Sequence, residues 1–541
     1  KAAKSAVVAL QKEELANLSA LEAETEKRNA SRSAREAAVQ AKIALQKEEE
    51  AKKASETAAI KAEEARVAAN KAKIAAIEAE KQKEEAVRQG KIAEKEKAIA
   101  KTKAKEAAIA EAAALKAEAL AQKLKLQSLA EAIAIKSKRI ENKPETQGQI
   151  AKKAVEIFQK SDGKNPIAEN EIFNPAIYEG VYFGIKAIKK SNGEKTFNEF
   201  IANDKHRGTI YAIVKGDDAF YTAGSDGKIL KWDVTASKAV DKPQVLVSAV
   251  GKRSETILAM AVAGNTLVTG GKDRKLAIYT LGGSSTPIEV DVHNSRFIWN
   301  VAFAGTRKDK IVSTGQDRKV YLTDLTVARN GGKSTLLFSS PTNIKVLDVH
   351  INGRNVVLGA TNGRISVIDI NSPNKEVRSK VINANISAIK YSPNGSYIVA
   401  ADVNGKVYIY DNELRQIGDY EAHNLAVTDI EFNGNRGFVT TSRDKTAKYW
   451  MMQKLTEGEK NYEPFILNDH SDWCTAANFS GKQAVVGCKD GSLKFWALDV
   501  GTLSKELCGL LKDKKIKRKD WDKYIGEDAA LEKTVGTSTC Q

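Results

Sequence analysis

Residues 224–232 read GSDGKILKW, and six relatives of that stretch follow: GKDRKLAIY at 271–279, GQDRKVYLT at 315–323, ATNGRISVI at 360–368, DVNGKVYIY at 402–410, SRDKTAKYW at 442–450 and CKDGSLKFW at 488–496. Each runs small-x-Asx-(Gly/Arg/Lys), then a short alternating segment that ends on a bulky residue in most copies. An Asx residue followed by Gly or a long cation is hairpin-turn chemistry, and alternation of period two is strand chemistry. The turn residues Asp226, Asp273, Asp317, Asn362, Asn404, Asp444 and Asp490 are 47, 44, 45, 42, 40 and 46 residues apart. A period of that length with four short strands per unit is a propeller blade. The expectation is an all-β seven-bladed β-propeller over residues 195–500.

These stretches resemble the WD-repeat family of β-propellers, and the first even ends in Trp232-Asp233. In that family a histidine, the turn aspartate, a Ser/Thr and the terminal Trp bond together inside a blade. The resemblance therefore assigns a structural network to His206, Asp226 and Trp232, to His293 and Asp317, to His423, Asp444 and Trp450, and to His470, Asp490 and Trp496. The histidines stand 20, 24, 21 and 20 residues before their aspartates, and the other three blades lack one there. Because an unpaired sheet edge is a liability, Phe197–Ala202 is expected to close the ring as the outermost strand of the last blade, beside Ser492–Leu498.

Outside the repeats the composition changes. From Lys1 to about Asn142 there is no proline, one glycine (Gly90) and a preponderance of Ala, Lys and Glu, strong helix formers. Alanines recur with alternating spacings of three and four, as at 58, 62, 65, 69, 72, 76 and 79, which keeps small residues on one seam. Residues 1–143 therefore read as a long helical, coiled-coil-like stalk that associates with other copies, docking from Leu115 onward where Leu120, Leu124, Leu129, Ile133 and Ile140 appear. Pro144 stops the rod. Residues 144–194 read as a short helical linker module, with Ile150, Val155, Ile157 and Phe158 on one helix and Ile177 to Ile188 on another that starts after Pro175. Residues 501–541 read as a tail packed on or beside the propeller.

The 541 residues carry 86 Lys+Arg against 69 Asp+Glu and five histidines. Four histidines are absorbed by the blade network and His350 falls on a strand of blade 4, so no nucleophile, base and orienter are spaced for catalysis. The chain reads as a non-enzyme without cofactor, metal or small-molecule substrate. Gly332-Lys333-Ser334-Thr335 resembles the end of a phosphate-binding loop, but Val327 stands where that loop needs a glycine. The basic run Lys512–Lys519 lacks interleaved aromatic residues, which makes nucleic acid the weakest partner class. No stretch is apolar enough to span a membrane, so membrane attachment would need a segment preceding Lys1. Cys474 and Cys488 lie equidistant from a turn near Gly481, while Cys508 and Cys540 bracket the tail. Two bridges imply an oxidising compartment, and free thiols a cytosolic one.

The order of parts, with LCGLLKDKKIKRKDWDKYIGED following the blades, is similar to the C-terminal half of bacterial proteins that join a membrane segment, a signalling NTPase or a protease-like domain to a WD-repeat propeller. That resemblance implies a periplasmic setting, the alternative being cytoplasmic. The favoured function is a scaffold whose propeller binds protein partners while the stalk anchors, spaces or joins copies. The alternative is the sensor arm of an upstream NTPase or protease-like effector. Expected contact residues are Arg207, Arg253, Arg296, Phe297, Trp299, Leu425 and Trp473, aromatic, aliphatic and cationic side chains near the starts of inner strands.

Overall fold

The computed structural model describes residues 63–68, 71, 73, 92–161, 174–194, 199–200, 206–235, 238–239, 243–247, 256–283, 286–294, 296–457, 462–481, 483–512, 514–526, 536 and 540. Seven antiparallel sheets follow one another along the chain. Their inner strands are Ile210–Lys215, Ile257–Ala263, Ile298–Ala304, Ile344–Val349, Ile386–Tyr391, Val427–Asn433 and Cys474–Ser480. Each touches the next, and the seventh touches the first, so the ring is closed. The edge is sealed by Glu199–Phe200, which pairs with Lys494 and Leu493 of the seventh blade.

The second strand of each blade is covered on both faces by neighbouring sheets. Ala219–Gly224, Thr266–Gly271 and Gly437–Ser442 are buried at every position. That explains their apolar, small-residue character, since a strand with two buried faces cannot alternate. Between blades 5 and 6, Val399, Ile409, Ile430, Phe438 and Trp450 form one of the interblade cores.

The signature turn joins the second and third strands. Its fourth residue adopts positive φ: Gly227, Gly363, Gly405 and Gly491 in four blades, and Arg274, Arg318 and Lys445 in three. At Gly405 (φ +97°) an added Cβ would meet the His423 carbonyl oxygen at 2.1 Å, whereas at Gly434 (φ +52°) nothing lies within 4 Å. Gly405→Ala is expected to cost about 2–3 kcal/mol and Gly434→Ala about 1 kcal/mol or less, as read from urea unfolding midpoints.

Two compact units are present. The first comprises residues 1–139, 150–167 and 515–539, and the second 140–149, 168–514 and 540–541. In the first unit the helix α1 (Ile92–Lys138) meets a short helix near the C-terminus. Along α1, Leu115, Leu120 and Leu124 are exposed, Leu126 and Leu129 are half-buried and full burial begins at Ala130, so docking starts later than expected. The alanines at 30–44, 58, 62, 69, 72, 76, 79 and 86 lie outside the described residues. Helix α2 (Pro144–Lys160) places its proline at the start, where a missing amide costs nothing.

In the second unit α3 (Pro175–Ser191) begins at Asn174, whose side chain accepts from the Ile177 amide. It lies along blades 6 and 7: the Tyr178 hydroxyl donates to the Ala497 carbonyl (2.9 Å), and Lys186 Nζ reaches Asp469 at 2.7 Å. The tail helix α4 (Val500–Leu511) packs on α3, with Lys189 paired to Glu506. Cys508 at its end is bonded to Cys540. The remaining tail helix, α5 (Arg518–Tyr524), belongs to the first unit.

Candidate functional site

In blade 6 the donors fix a single proton arrangement. Trp450 Nε1 can only donate, and it donates to Thr440 Oγ1 at 2.9 Å. The Asp444 carboxylate can only accept, so His423 Nδ1 carries the imidazole proton and donates to it at 3.0 Å, and Nε2 accepts from the Thr440 hydroxyl (2.8 Å). Blade 1 repeats the chain through Trp232, Thr222, His206 and Asp226 at 2.9, 2.9 and 2.8 Å. Blade 3 keeps His293 between Ser313 (3.0 Å) and Asp317 (2.8 Å), with Thr323 in place of the tryptophan. The aspartate also accepts from the amide after the histidine, Arg207 in blade 1 and Asn424 in blade 6, which pins the loop entering the blade.

Burial pushes the His423 imidazole below its ordinary range, over the opposing pull of Asp444. Burial also pushes the Asp226 carboxyl up, but hydrogen bonds from His206 and two amides outweigh it and hold the group at about 2. Both shifts are downward, so both contribute stability above the unfolded values and lose it as pH falls. On acidification these two groups are expected to lower the melting temperature in two stages, one starting at about pH 6.5 and one below about pH 4, against the opposite contribution of Asp429, whose carboxyl is pushed up to about 7. His423→Gln should flatten the first stage in calorimetric scans.

Blade 7 departs from this pattern and corrects an expectation. Val486 stands where Thr222 and Thr440 stand in blades 1 and 6, so no hydroxyl links histidine to tryptophan. His470 Nε2 and Trp496 Nε1 are buried without a hydrogen-bond partner among the described residues. Asp490 does not meet His470. It accepts from the Ser492 amide (2.9 Å) and bonds the Ser471 hydroxyl, while His470 Nδ1 faces the Cys488 sulfur at 3.3 Å. Cys474 and Cys488 are register partners and remain thiols. The thiol of Cys474, with His470 beside it, holds Cys488 below the usual thiol range, and burial pushes Cys474 above it.

The inner strands share a second feature. Each has a β-bulge after its first residue, leaving Tyr211, Leu258, Trp299, Lys345, Ser387, Thr428 and Thr475 unpaired. A bulge re-aims one side chain, and here it does so once per blade. All seven line a central channel of about 1000 Å³. Blades 1 to 4 supply two aromatic rings, a leucine and a lysine. Blades 5 to 7 supply small hydroxyl residues, two of which tie blades together: Thr428 donates to the Cys474 carbonyl (2.7 Å) and Thr475 to the Ile210 carbonyl (2.6 Å).

The mouth where the inner strands begin is aromatic and cationic. Lys345 Nζ lies 5.4 Å from the Trp299 ring centroid, and Arg443 and Lys489 lie 5.0 and 4.1 Å from that of Trp473. Phe297 meets Trp299 edge-on at 6.1 Å, and Trp299 Nε1 finds no acceptor among the described residues. Arg207, Arg296 and Leu425 are exposed on the same rim, and Arg253 lies outside the described residues. Farther along the channel acidic groups join the cations. Lys390 pairs with Glu431 at 2.9 Å, while Asp348 and Asp429 accept the Tyr391 and Ala477 amides of the following blades. Burial and the neighbouring Glu431 push Asp429 up to about 7. His350 lies just past its strand, with Nε2 3.1 Å from the Gly395 carbonyl. No catalytic nucleophile and base are joined by it.

Sequence reasoning missed Tyr211, Leu258, Lys345, Arg443 and Lys489. Arg443 and Lys489 occupy the unrestricted second position of the repeated signature, which was a usable signal.

Residues 376–411, 414–451 and 462–497 match the family described as WD domain, G-beta repeat. The chain is 25% identical to the 66 kDa stress protein of Physarum polycephalum over 54% of this chain and 46% of that one. It is 24% identical to the ciliary WD repeat-containing protein ctxp80 of Euplotoides octocarinatus over 43% and 34%, and 22% identical to the human echinoderm microtubule-associated protein-like 3 over 57% and 34%. The chain thus spans about a third to a half of the length of these curated relatives. It also aligns with the crystal structure of the computationally designed Ika8 protein at 21% identity, over 56% of this chain and 99% of that one, with a TM-score of 0.43. The three relatives are eukaryotic, and a bacterial, membrane-linked setting draws no support from them.

Proposed function

We propose that the chain is a protein-interaction scaffold in which the cationic, aromatic mouth of the seven-bladed ring takes an acidic segment of a partner protein. WD-repeat propellers typically mediate protein–protein interactions, and the observation that carries the reading here is the aromatic, cationic mouth, to which the bulges contribute Trp299 and Lys345. Two tryptophans, one beside Lys345 and the other beside Arg443 and Lys489, combine an apolar anchor with carboxylate recognition, the composition of interface hot spots. Selection of peptides from a random display library on the full chain tests it. Acid-containing peptides whose affinity falls with salt are expected. Enrichment of neutral or basic peptides would contradict the reading.

The stalk is proposed to join copies of the chain. Along α1, Ile109, Leu115, Leu120 and Leu124 are 53–69% exposed, more apolar surface than a lone helix needs. Light scattering should give a dimer or larger assembly that falls to monomer when residues 1–128 are removed. A monomeric full chain would refute self-association.

A further inference from the structure

We propose that blade 7 holds a thiophilic metal ion, zinc in the first instance, on His470 Nδ1 and the sulfurs of Cys474 and Cys488. The three donor atoms lie within 4.8 Å of one another, all on buried residues, which is compatible with donors sharing one ion. The backbone brings them together: Cys474 opens the inner strand, Cys488 closes the second strand opposite it, and His470 enters from the loop just before. Two departures from the repeat coincide here. Cys488 takes the place of Gly224, Gly271 and Gly315, and Val486 takes the place of Thr222 and Thr440. One change supplies a ligand, and the other withdraws the hydroxyl that engages the histidine elsewhere. His470 has turned from its aspartate to the thiol, and its Nε2 is left without a partner.

Thiolate and imidazole donors favour zinc or copper(I) over magnesium or calcium. Two thiolates and a neutral imidazole balance a dication, so the dry interior of the blade gains no net charge. Binding replaces two S–H bonds with two S–metal bonds and releases two protons to water, with no change of oxidation state. Three protein donors leave a fourth position for water. The ion would cross-link the first two strands of the blade that closes the ring.

The test uses the full chain, reduced, stripped with chelator and titrated with Zn²⁺ or Co²⁺ alone. About one zinc per chain is expected to survive gel filtration. Cobalt should produce the intense near-ultraviolet absorption of thiolate-to-metal charge transfer, a readout that needs no variant. Cys474→Ser and Cys488→Ser, checked for folding by circular dichroism, should each lower bound metal from about one to near zero. A reduced protein that binds no metal would overturn the proposal, as would a cobalt complex without thiolate absorption. So would metal binding unchanged in folded cysteine variants. If the unreduced protein carries a Cys474–Cys488 disulfide and the reduced form fails to bind, the pair is a redox bridge and the proposal falls.

Discussion

Trp450→Ala is expected to be the most destabilising single change in the propeller, costing about 3–5 kcal/mol in urea unfolding. The side chain is 2% exposed within the core shared by blades 5 and 6, stacked on Phe438 at 6.1 Å. Its removal opens a large cavity, and it also leaves Thr440 without its indole donor. A smaller change separates the two contributions. Thr440→Val keeps the volume but strands the indole N–H and His423 Nε2, at about 2–4 kcal/mol for two unmet buried groups. Blade 7 already carries valine at that place, so Val486→Thr provides the reverse experiment. If Thr440→Val is neutral, the network has no stabilising role and blade 6 is held by packing alone.

The second large effect concerns binding. For a ligand seated on the mouth, Trp299→Ala and Trp473→Ala should each weaken affinity by about 2–4 kcal/mol, roughly 30- to 1000-fold. Lys489→Ala should cost less and reduce the salt dependence, because an exposed charge acts mainly through screened attraction. The melting temperature should change little in Lys489→Ala, since that side chain is exposed. A calorimetric titration that finds both tryptophan variants within about threefold of the parent would move the binding surface elsewhere.

Ring, blade count and closing strand were legible because each follows from a repeated local rule. Asx-Gly or Asx-cation turns fix hairpins, a period of 40–47 residues fixes four strands per unit, and an unpaired edge demands Glu199–Phe200 or something like it. The mouth was only partly legible. Aromatic residues near the inner-strand starts drew notice to Trp299 and Trp473, but the bulges that present Tyr211, Leu258 and Lys345 have no residue signature. They arise from backbone pairing between strands. Arg443 and Lys489 were passed over because a signature directs the eye to its fixed positions, although in a repeated fold the unrestricted position is free to vary for binding.

The cluster in blade 7 was misread for a related reason. His470 stands 20 residues before Asp490, a spacing that fits the blade network, yet Val486 removes the hydroxyl and Cys488 competes for the ring. Spacing locates a side chain but does not choose its partner. On the stalk, apolar content alone could not reveal where docking begins: Leu120 and Leu124 are exposed, while Ala130 and Ala134 are fully buried. The alanines from Ala100 to Ala121 are exposed as well, so residue type does not mark the boundary; full burial starts with Ala130, Ile133 and Ala134.

The most direct test of the mouth as the partner-binding face is amide hydrogen exchange of the full chain with and without a peptide from the display selection. Slowed exchange at 296–300, 343–346, 443–445 and 472–475, where the inner strands begin, is the predicted result. Protection confined to 306–308, 350–353, 393–395 and 433–436, the loops at the opposite end of the channel, would contradict it.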